Sequence, residues 1–209
     1  MKIAVFGATG RTGTHVIDEA LEAGYEVVAF ARSPEKVPGN IDRLRVIKGD
    51  LSDKEAIDRA VGGADAVVSV LGPSSNKAEA AISSGMEHII ASMKKHGVQR
   101  LVMTAGAGIN DPEDRPTLMS KFMNFLVRTF SRNVYEDMVQ TVQIVRESDL
   151  DWTIVRAPML TDQPKTGKVN VAWVGKGMGR QIPRADLAAF VVQQVADETY
   201  LRKAPAVSV

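Results

Sequence analysis

Residues 6–13 read FGATGRTG, with Gly7, Gly10 and Gly13 spaced three apart. They follow directly on the apolar run 3–6. They lead into residues 14–23, where Val16, Ile17, Ala20 and Leu21 keep helical spacing. A strand, a glycine turn and a helix in immediate succession constrain the fold more than any other feature. Each glycine has its own use: one allows the tight turn, one lets backbone approach a pyrophosphate, and one lets the helix pack on the strand. The helix start then offers unpaired N–H groups and partial positive charge to phosphate. The spacing is Gly-x-x-Gly-x-x-Gly rather than the commoner Gly-x-Gly-x-x-Gly. The inference of a dinucleotide site therefore rests on the flanking strand and helix as much as on the glycines.

The rest of the chain repeats this alternation. Strands are predicted over residues 2–6, 25–31, 45–48, 65–71, 100–104 and 152–156. Gly24 is placed to end the first helix. Ser52 and Glu55 read as a capping box before AIDRAV, closed by Gly62 and Gly63. Ile82, Met86, Ile89, Ile90 and Met93 line one face of a helix that Gly97 ends, and another helix runs from about 135 to 147. Residues 168–174 alternate like a small hairpin or edge strand. Leu187, Phe190, Val191 and Val195 mark a last helix, with Asp186 near its start. The expected fold is α/β: a Rossmann-type, doubly wound, mostly parallel sheet with helices on both faces. No Pro/Gly/Ser linker divides the chain. We expect one domain over residues 1–209, with substrate-side elements from about 105–135 and 157–182.

The 209 residues suffice for a substantial core. With 26 Lys plus Arg against 25 Asp plus Glu, no nucleic-acid partner is predicted. The absence of cysteine excludes disulfides and thiolate chemistry. No apolar run reaches membrane-spanning length, and the run at 3–6 is too short for a leader's core. A cytoplasmic protein, monomeric or homodimeric, is expected. His15, His88 and His96 share no spacing, so no metal site is predicted. Trp152 and Trp173 read as packing residues.

An NAD site usually carries an acid at the end of the second strand, bonding the ribose 2′-hydroxyl. Here the chain reads AFARSPEK, with Arg32 at that end and Ser33 and Lys36 behind it; Arg11 lies in the glycine turn. A guanidinium matches a phosphate bidentately and would be poorly used on a neutral hydroxyl. The cofactor read from these residues is NADP(H). Asp50, ending the third strand in KGDLSD, either accepts from the adenine amino group or is a plain loop or N-cap aspartate.

KIAVFGATGRTG at the start, GDLSD at 49–53, VVSVLG at 67–72, LDWTIVRAPMLTDQPKTGKV at 150–169 and IPRADLAAF at 182–190 resemble the atypical short-chain dehydrogenase/reductases. The likeness is to the NAD(P)H-binding, NmrA-like branch that includes NADPH-dependent flavin reductase (biliverdin IXβ reductase). It spans nearly the whole chain and weakens between about 109 and 133. It implies that Gly7, Thr9, Gly10, Arg11, Thr12 and Gly13 hold the pyrophosphate. Arg32 and Lys36 would hold the 2′-phosphate, and Asp50 and Leu51 would flank the adenine. Leu71 and Gly72 would pass along the ribose. Thr104 and Ala105 would sit under the nicotinamide, with Pro158, Met159 and Leu160 on its other side.

Most of the wider family moves a proton with a Tyr-x-x-x-Lys pair and a serine. Four residues after Tyr25, Tyr135 and Tyr200 stand Ala29, Val139 and Ala204, and MTAGAG after the fifth strand offers Ala105 and Gly106 in place of a serine. That argues against a carbonyl reductase or sugar-nucleotide epimerase. Hydride transfer to a flavin needs chiefly the alignment of two planar rings. The catalytic residues stay unknown, with Thr104 and Tyr135 as weak candidates; Tyr135 is either a substrate-contacting hydroxyl or a core tyrosine. Residues 117–135 carry Leu118, Met119, Phe122, Met123, Phe125, Leu126 and Phe130 with Lys121, Arg128, Arg132 and no acid. This segment either covers a flat anionic ligand such as FMN or packs on the core or in a dimer interface. The reading is an NADPH-dependent reductase of a flavin or similar planar conjugated small molecule, with FMN or FAD as substrate. The alternative is a non-catalytic, NmrA-like redox sensor.

Overall fold

Apolar runs without alternation form strands buried on both faces, and that is their fate here. The structure is a computed structural model describing residues 1–37, 41–72, 81–117, 129 and 131–209. In chain order the elements are β1 (Lys2–Phe6), α1 (Arg11–Glu22), β2 (Glu26–Ala31), a short 3₁₀ turn (Pro34–Lys36), β3 (Leu44–Lys48), α2 (Lys54–Val61), β4 (Ala66–Ser69), α3 (Ala81–His96), β5 (Arg100–Gly106), α4 (Arg132–Glu147), β6 (Asp151–Ala157), β7 (Met159–Thr161), β8 (Asn170–Ala172), β9 (Gln181–Pro183), α5 (Arg184–Gln193) and β10 (Ala206–Ser208). Eight strands make one sheet in the order β3-β2-β1-β4-β5-β6-β10-β8, and β7 pairs with β9 apart from it. β1 to β6 run parallel, β10 joins β6 in parallel, and only β8 is antiparallel. The expected doubly wound sheet is what the chain forms.

Side chains alternate across each strand, so each strand feeds two cores. Ala4, Phe6, Val28, Phe30, Leu101, Met103, Trp152 and Ile154 pack with α2, α3 and α4 on one face. Ile3, Val5, Val27, Ala29, Val102 and Val155 pack with α1 and α5 on the other. Each fully buried Val, Ile, Leu or Phe contributes about 1.5–3 kcal/mol. Gly24, Gly63 and Gly97 take positive φ just past α1, α2 and α3, as helix-ending glycines should.

Two local expectations change. The α2 cap is Asp53, whose Oδ1 accepts from Ala56 N–H at 2.9 Å. Ser52 is drawn away because its amide and hydroxyl both donate to Asp50 Oδ1, a charged acceptor. The alternating residues at 168–174 supply the edge strand β8, one of the two expected forms. β4 stops at Ser69, where its pairing with Phe6 ends, two residues short of the predicted end. Residues 118–128 and 130, the core of the Met- and Phe-rich segment, lie outside the described residues.

Two polar clusters tie the layers. Arg156, on β6, is fully buried and pairs with Asp114, whose side chain is 8% exposed. Its guanidinium donates to both Asp114 carboxylate oxygens and to the Ala204 and Ile109 carbonyls. Asp114 also accepts from the Asp111 and Val174 amides. Burial pushes the Asp114 carboxyl up, but Arg156 and the Asp111 and Val174 amides together hold the group below its ordinary value. In the second, Asp58 of α2 accepts from Lys95 and Ser92 of α3 and lies 2.9 Å from His96 Nε2. The bond from Lys95, chiefly, lowers its pKa to about 2.

Asp114→Ala leaves the Arg156 charge buried without its partner, and urea denaturation should show a loss of about 3–5 kcal/mol. Asp58 has a folded pKa below its unfolded value of about 3.9, so its contribution is present above about pH 4 and fades towards pH 2. Asp58→Asn should therefore flatten part of the fall in unfolding free energy between those pH values, measured by urea titration at each pH.

Candidate functional site

Parallel pairing brings the carboxyl ends of six strands to one edge. Phe6 is level with Phe30 and Ser69, Ala31 with Lys48, Ser69 with Met103, and Gly106 with Ala157. The residues just beyond these ends are Gly7, Arg32, Asp50, Leu71, Gly72 and Pro158, with Thr104 and Ala105 in the last turns of β5. From β1 the chain winds outward to β2 and β3, then returns to β4 on the other flank. The strand order therefore reverses beside β1, where open α/β sheets form their ligand crevice.

The glycine turn opens into that crevice. Gly7 has φ +85°, and a Cβ on it would stand 2.7 Å from the Val70 carbonyl oxygen. A Cβ on Gly13 would stand 2.0 Å from the Gly7 carbonyl oxygen, so the helix can pack on the turn only through glycine. Gly10 differs. It is exposed, and its Cβ would meet only the Gly7 oxygen, at 3.1 Å. It is also the N-cap of α1, where among the described residues no side chain caps the helix and no acid stands in the first turn. The first-turn amides and the positive end of the helix dipole are left to an external anion. The cradle thus fits a dinucleotide pyrophosphate. Thr9 and Thr12 flank it, each partly buried.

The cationic groups around this mouth are not uniform. Arg11 Nη1 lies 3.4 Å from Asp162 Oδ2, both exposed, while Arg184 Nη1 donates to Asp162 Oδ1 at 2.6 Å. Arg184, nearly buried, opens α5, so one carboxylate links the glycine turn to the segment after β7. That segment is pinned again by Asp186, which is buried and accepts from the Thr166 and Gly167 amides and the Thr166 hydroxyl. Lys165 pairs with Glu19 of α1. Arg32 and Lys36 are exposed, and Ser33 precedes the 3₁₀ turn without capping it. The Asp50 carboxyl lies below its ordinary value, chiefly through the Ser52 hydroxyl and amide, with a smaller share from Arg32. These bonds hold Asp50 in the loop turn after β3. Both Ser52 bonds fall on Oδ1, and the Asp53 amide adds a smaller share to the lowering.

On the β5–β6 side, Thr104 is partly buried, Ala105 buried, and Pro158 and Leu160 partly buried. Met159 is 63% exposed, an uncommon place for a large apolar side chain. Tyr135, partly buried on the α2–α3–α4 core, lines two open clefts beside α4 of about 390 and 460 Å³. The first also involves Ile109, Asn110, Val139, Val142, Gln143, Arg146 and Glu147. Neither cleft touches the glycine turn. Tyr25 and Tyr200 pack on the α1–α5 core, Tyr200 against Phe190. Among the described residues no group of three His, Asp or Glu side chains gathers for a metal, and no helix is long and apolar enough to cross a membrane. Asp162 and Arg184 were not legible as site residues, since neither stands in a glycine or strand-end motif. Asp186 carried a weak signal as an acid near a helix start.

Gly13→Ala should cost about 3 kcal/mol or more through the clash with the Gly7 carbonyl. Gly72→Ala, with nothing within 4 Å of its Cβ among the described residues, should leave the thermal midpoint unchanged; thermal denaturation of both variants checks this.

The model of the NAD(P)H-binding family matches residues 7–198. A dihydroflavonol 4-reductase of Hordeum vulgare is 32% identical over 131 residues, 54% of this chain and 37% of that protein. The chain spans less than half the length of curated relatives such as this one. Among solved structures, a short-chain dehydrogenase/reductase of Veillonella parvula in complex with NADP superposes with a TM-score of 0.82 at 21% identity, covering 100% of this chain and 94% of that one. ChuY, an anaerobillin reductase of Escherichia coli O157:H7, gives 0.80 at 20% identity, covering 99% and 96%. At these identities the structural likeness concerns the fold. The family match begins at Gly7 and runs through α5, so the chain belongs to the NAD(P)H-binding family, on a Rossmann-type sheet.

Proposed function

We propose that the protein is a reductase that prefers NADP(H) and passes hydride to a flavin or a similar planar conjugated acceptor. The observation that carries the reading is the uncapped start of α1 at the strand-order reversal, with Arg32 at the β2 end where an NAD site holds an acid. The amides of residues 11–13 bind the pyrophosphate. Arg32 and Lys36 meet the 2′-phosphate as charge-assisted donors. Asp50 and Leu51 flank the adenine, and Leu71 and Gly72 the ribose. Thr104 and Ala105 on one side and Pro158, Met159 and Leu160 on the other flank the nicotinamide. When bound, the nicotinamide supplies the hydride.

A conjugated acceptor suits this edge because Met159 exposes apolar surface beside it. No tyrosine–lysine pair at the family spacing is present to move a substrate proton. Alignment of two rings supplies the catalysis. The NADP complex of the Veillonella parvula neighbour and the reductase activity named for ChuY point the same way. The missing relay equally suits a regulator that binds NADP(H) and signals through a partner, and turnover separates the two.

Titration with NADPH and NADH should show tighter binding of NADPH. Arg32→Asp should weaken NADPH by roughly 10- to 100-fold, the share of one or two charged hydrogen bonds; unchanged affinities for both would overturn the assignment. Absorbance at the reduced-nicotinamide band with FMN, FAD, quinones and linear tetrapyrroles should show NADPH consumption with at least one. Binding without turnover across the set would favour the sensor.

A further inference from the structure

The loop carrying Asp50 and Leu51 is not held by its own short turn alone. Below it, a Cβ on Gly49 would stand 2.6 Å from Ala56 Cβ and 2.9 Å from the Phe30 ring, so the chain lies directly on the core. Above it stands α3. A Cβ on Gly85 would come within 2.7 Å of Leu51 Cβ and 2.8 Å of Leu51 Cδ1, so the Leu51 side chain occupies the space that any other residue at position 85 would fill. One turn on, His88 Nδ1 lies 2.8 Å from the Leu51 carbonyl oxygen. A carbonyl only accepts, so Nδ1 carries the hydrogen and donates. Gly85 and His88 are three apart and share one helix face. The same helix is anchored by Met86, Ile89 and Met93, all fully buried. Side chain and backbone of Leu51 are thus gripped independently by an element that cannot shift.

We infer that Gly85 and His88 are positioning residues for the adenine end of the cofactor site: by seating Leu51 they fix where the Asp50 carboxylate meets the adenine amino group, and so make the site selective for adenine over other purines. The inference rests on the proposed dinucleotide site. Asp50 Oδ1 is committed to Ser52, so Oδ2 is the oxygen assigned to the base. A shift of the loop backbone would break that contact without disturbing the phosphate cradle at α1.

The test compares NADPH with its hypoxanthine analogue, reduced nicotinamide hypoxanthine dinucleotide phosphate, in which a carbonyl replaces the 6-amino group. Fluorescence titration of the wild type should favour NADPH by roughly tenfold, since the analogue loses a hydrogen bond to a carboxylate. His88→Ala and Gly85→Ala should cut that preference below about threefold. His88→Asn, whose side-chain amide can donate from the Nδ1 position, should keep it. Should Gly85→Ala fail to fold, the His88 pair decides the question. A merely structural role would lower both affinities and leave their ratio intact; a wild-type ratio in His88→Ala overturns the inference. A wild type that binds NADPH and its analogue equally overturns it too, while leaving the cofactor reading standing. A wild type that binds neither NADPH nor NADH overturns both.

Discussion

The Gly7 carbonyl oxygen is the point on which the cofactor edge is built. It accepts from the Gly10 amide at 2.9 Å, and it would lie 2.0 Å from any Cβ at position 13. The turn can therefore close only if residue 13 has no side chain, and α1 can start only where that closure leaves it. The same residue, at positive φ, passes so close to Val70 that the end of β4 is shaped around it. One backbone group thus sets the helix start, the turn and the adjoining strand end. The turn also leaves α1 with no protein cap among the described residues. An uncapped helix start costs stability in an isolated protein, and here it leaves the amides available to a phosphate.

The opposite wall of the crevice is assembled by long-range charge. Asp162 joins Arg11 of the glycine turn to Arg184 of α5, and Asp186, at the start of α5, holds the Thr166–Gly167 backbone. Exposed pairs of the Arg11–Asp162 kind contribute little to stability. Their value lies in linking two sides of the mouth that no strand pairing joins. Farther along, Arg156 and Asp114 fasten the chain after β5 to the sheet and to Val174. Two of these carboxylates, Asp186 and Asp114, are buried, and each accepts several backbone or guanidinium donors. That arrangement satisfies polar groups that would otherwise be costly to bury.

The adenine end follows the same economy. Asp50 folds back on Ser52, and α3 grips Leu51 with an absent Cβ and a single imidazole bond. The loop is thereby preorganised, which lowers the ordering cost of binding. At the β5–β6 side, proposed to face the nicotinamide, Met159 is exposed, Ala105 buried and Thr104 partly buried.

The local patterns were legible because each is decided within a few residues. The glycine turn, the buried apolar strands, the helix faces of Val16–Ile17–Ala20 and Met86–Ile89–Met93, and the helix-ending glycines all follow from neighbours in the chain. The α2 cap misread shows the limit even there: Ser52 and Asp53 both suit an N-cap, and the nearby Asp50 carboxylate took Ser52. The three-residue strands β7, β9 and β10 gave no periodic signal, because a strand that short is defined by its partner, 22 residues away for Met159 and Gln181 and 50 away for Arg156 and Ala206. By itself the sequence determined the alternation of strand and helix and the glycine turn that binds them, since backbone sterics and burial dictate both locally. Only the tertiary structure decided which carboxylate meets which arginine and which helix face seats Leu51, because those contacts join residues far apart in the chain and exist only once the sheet has brought them together.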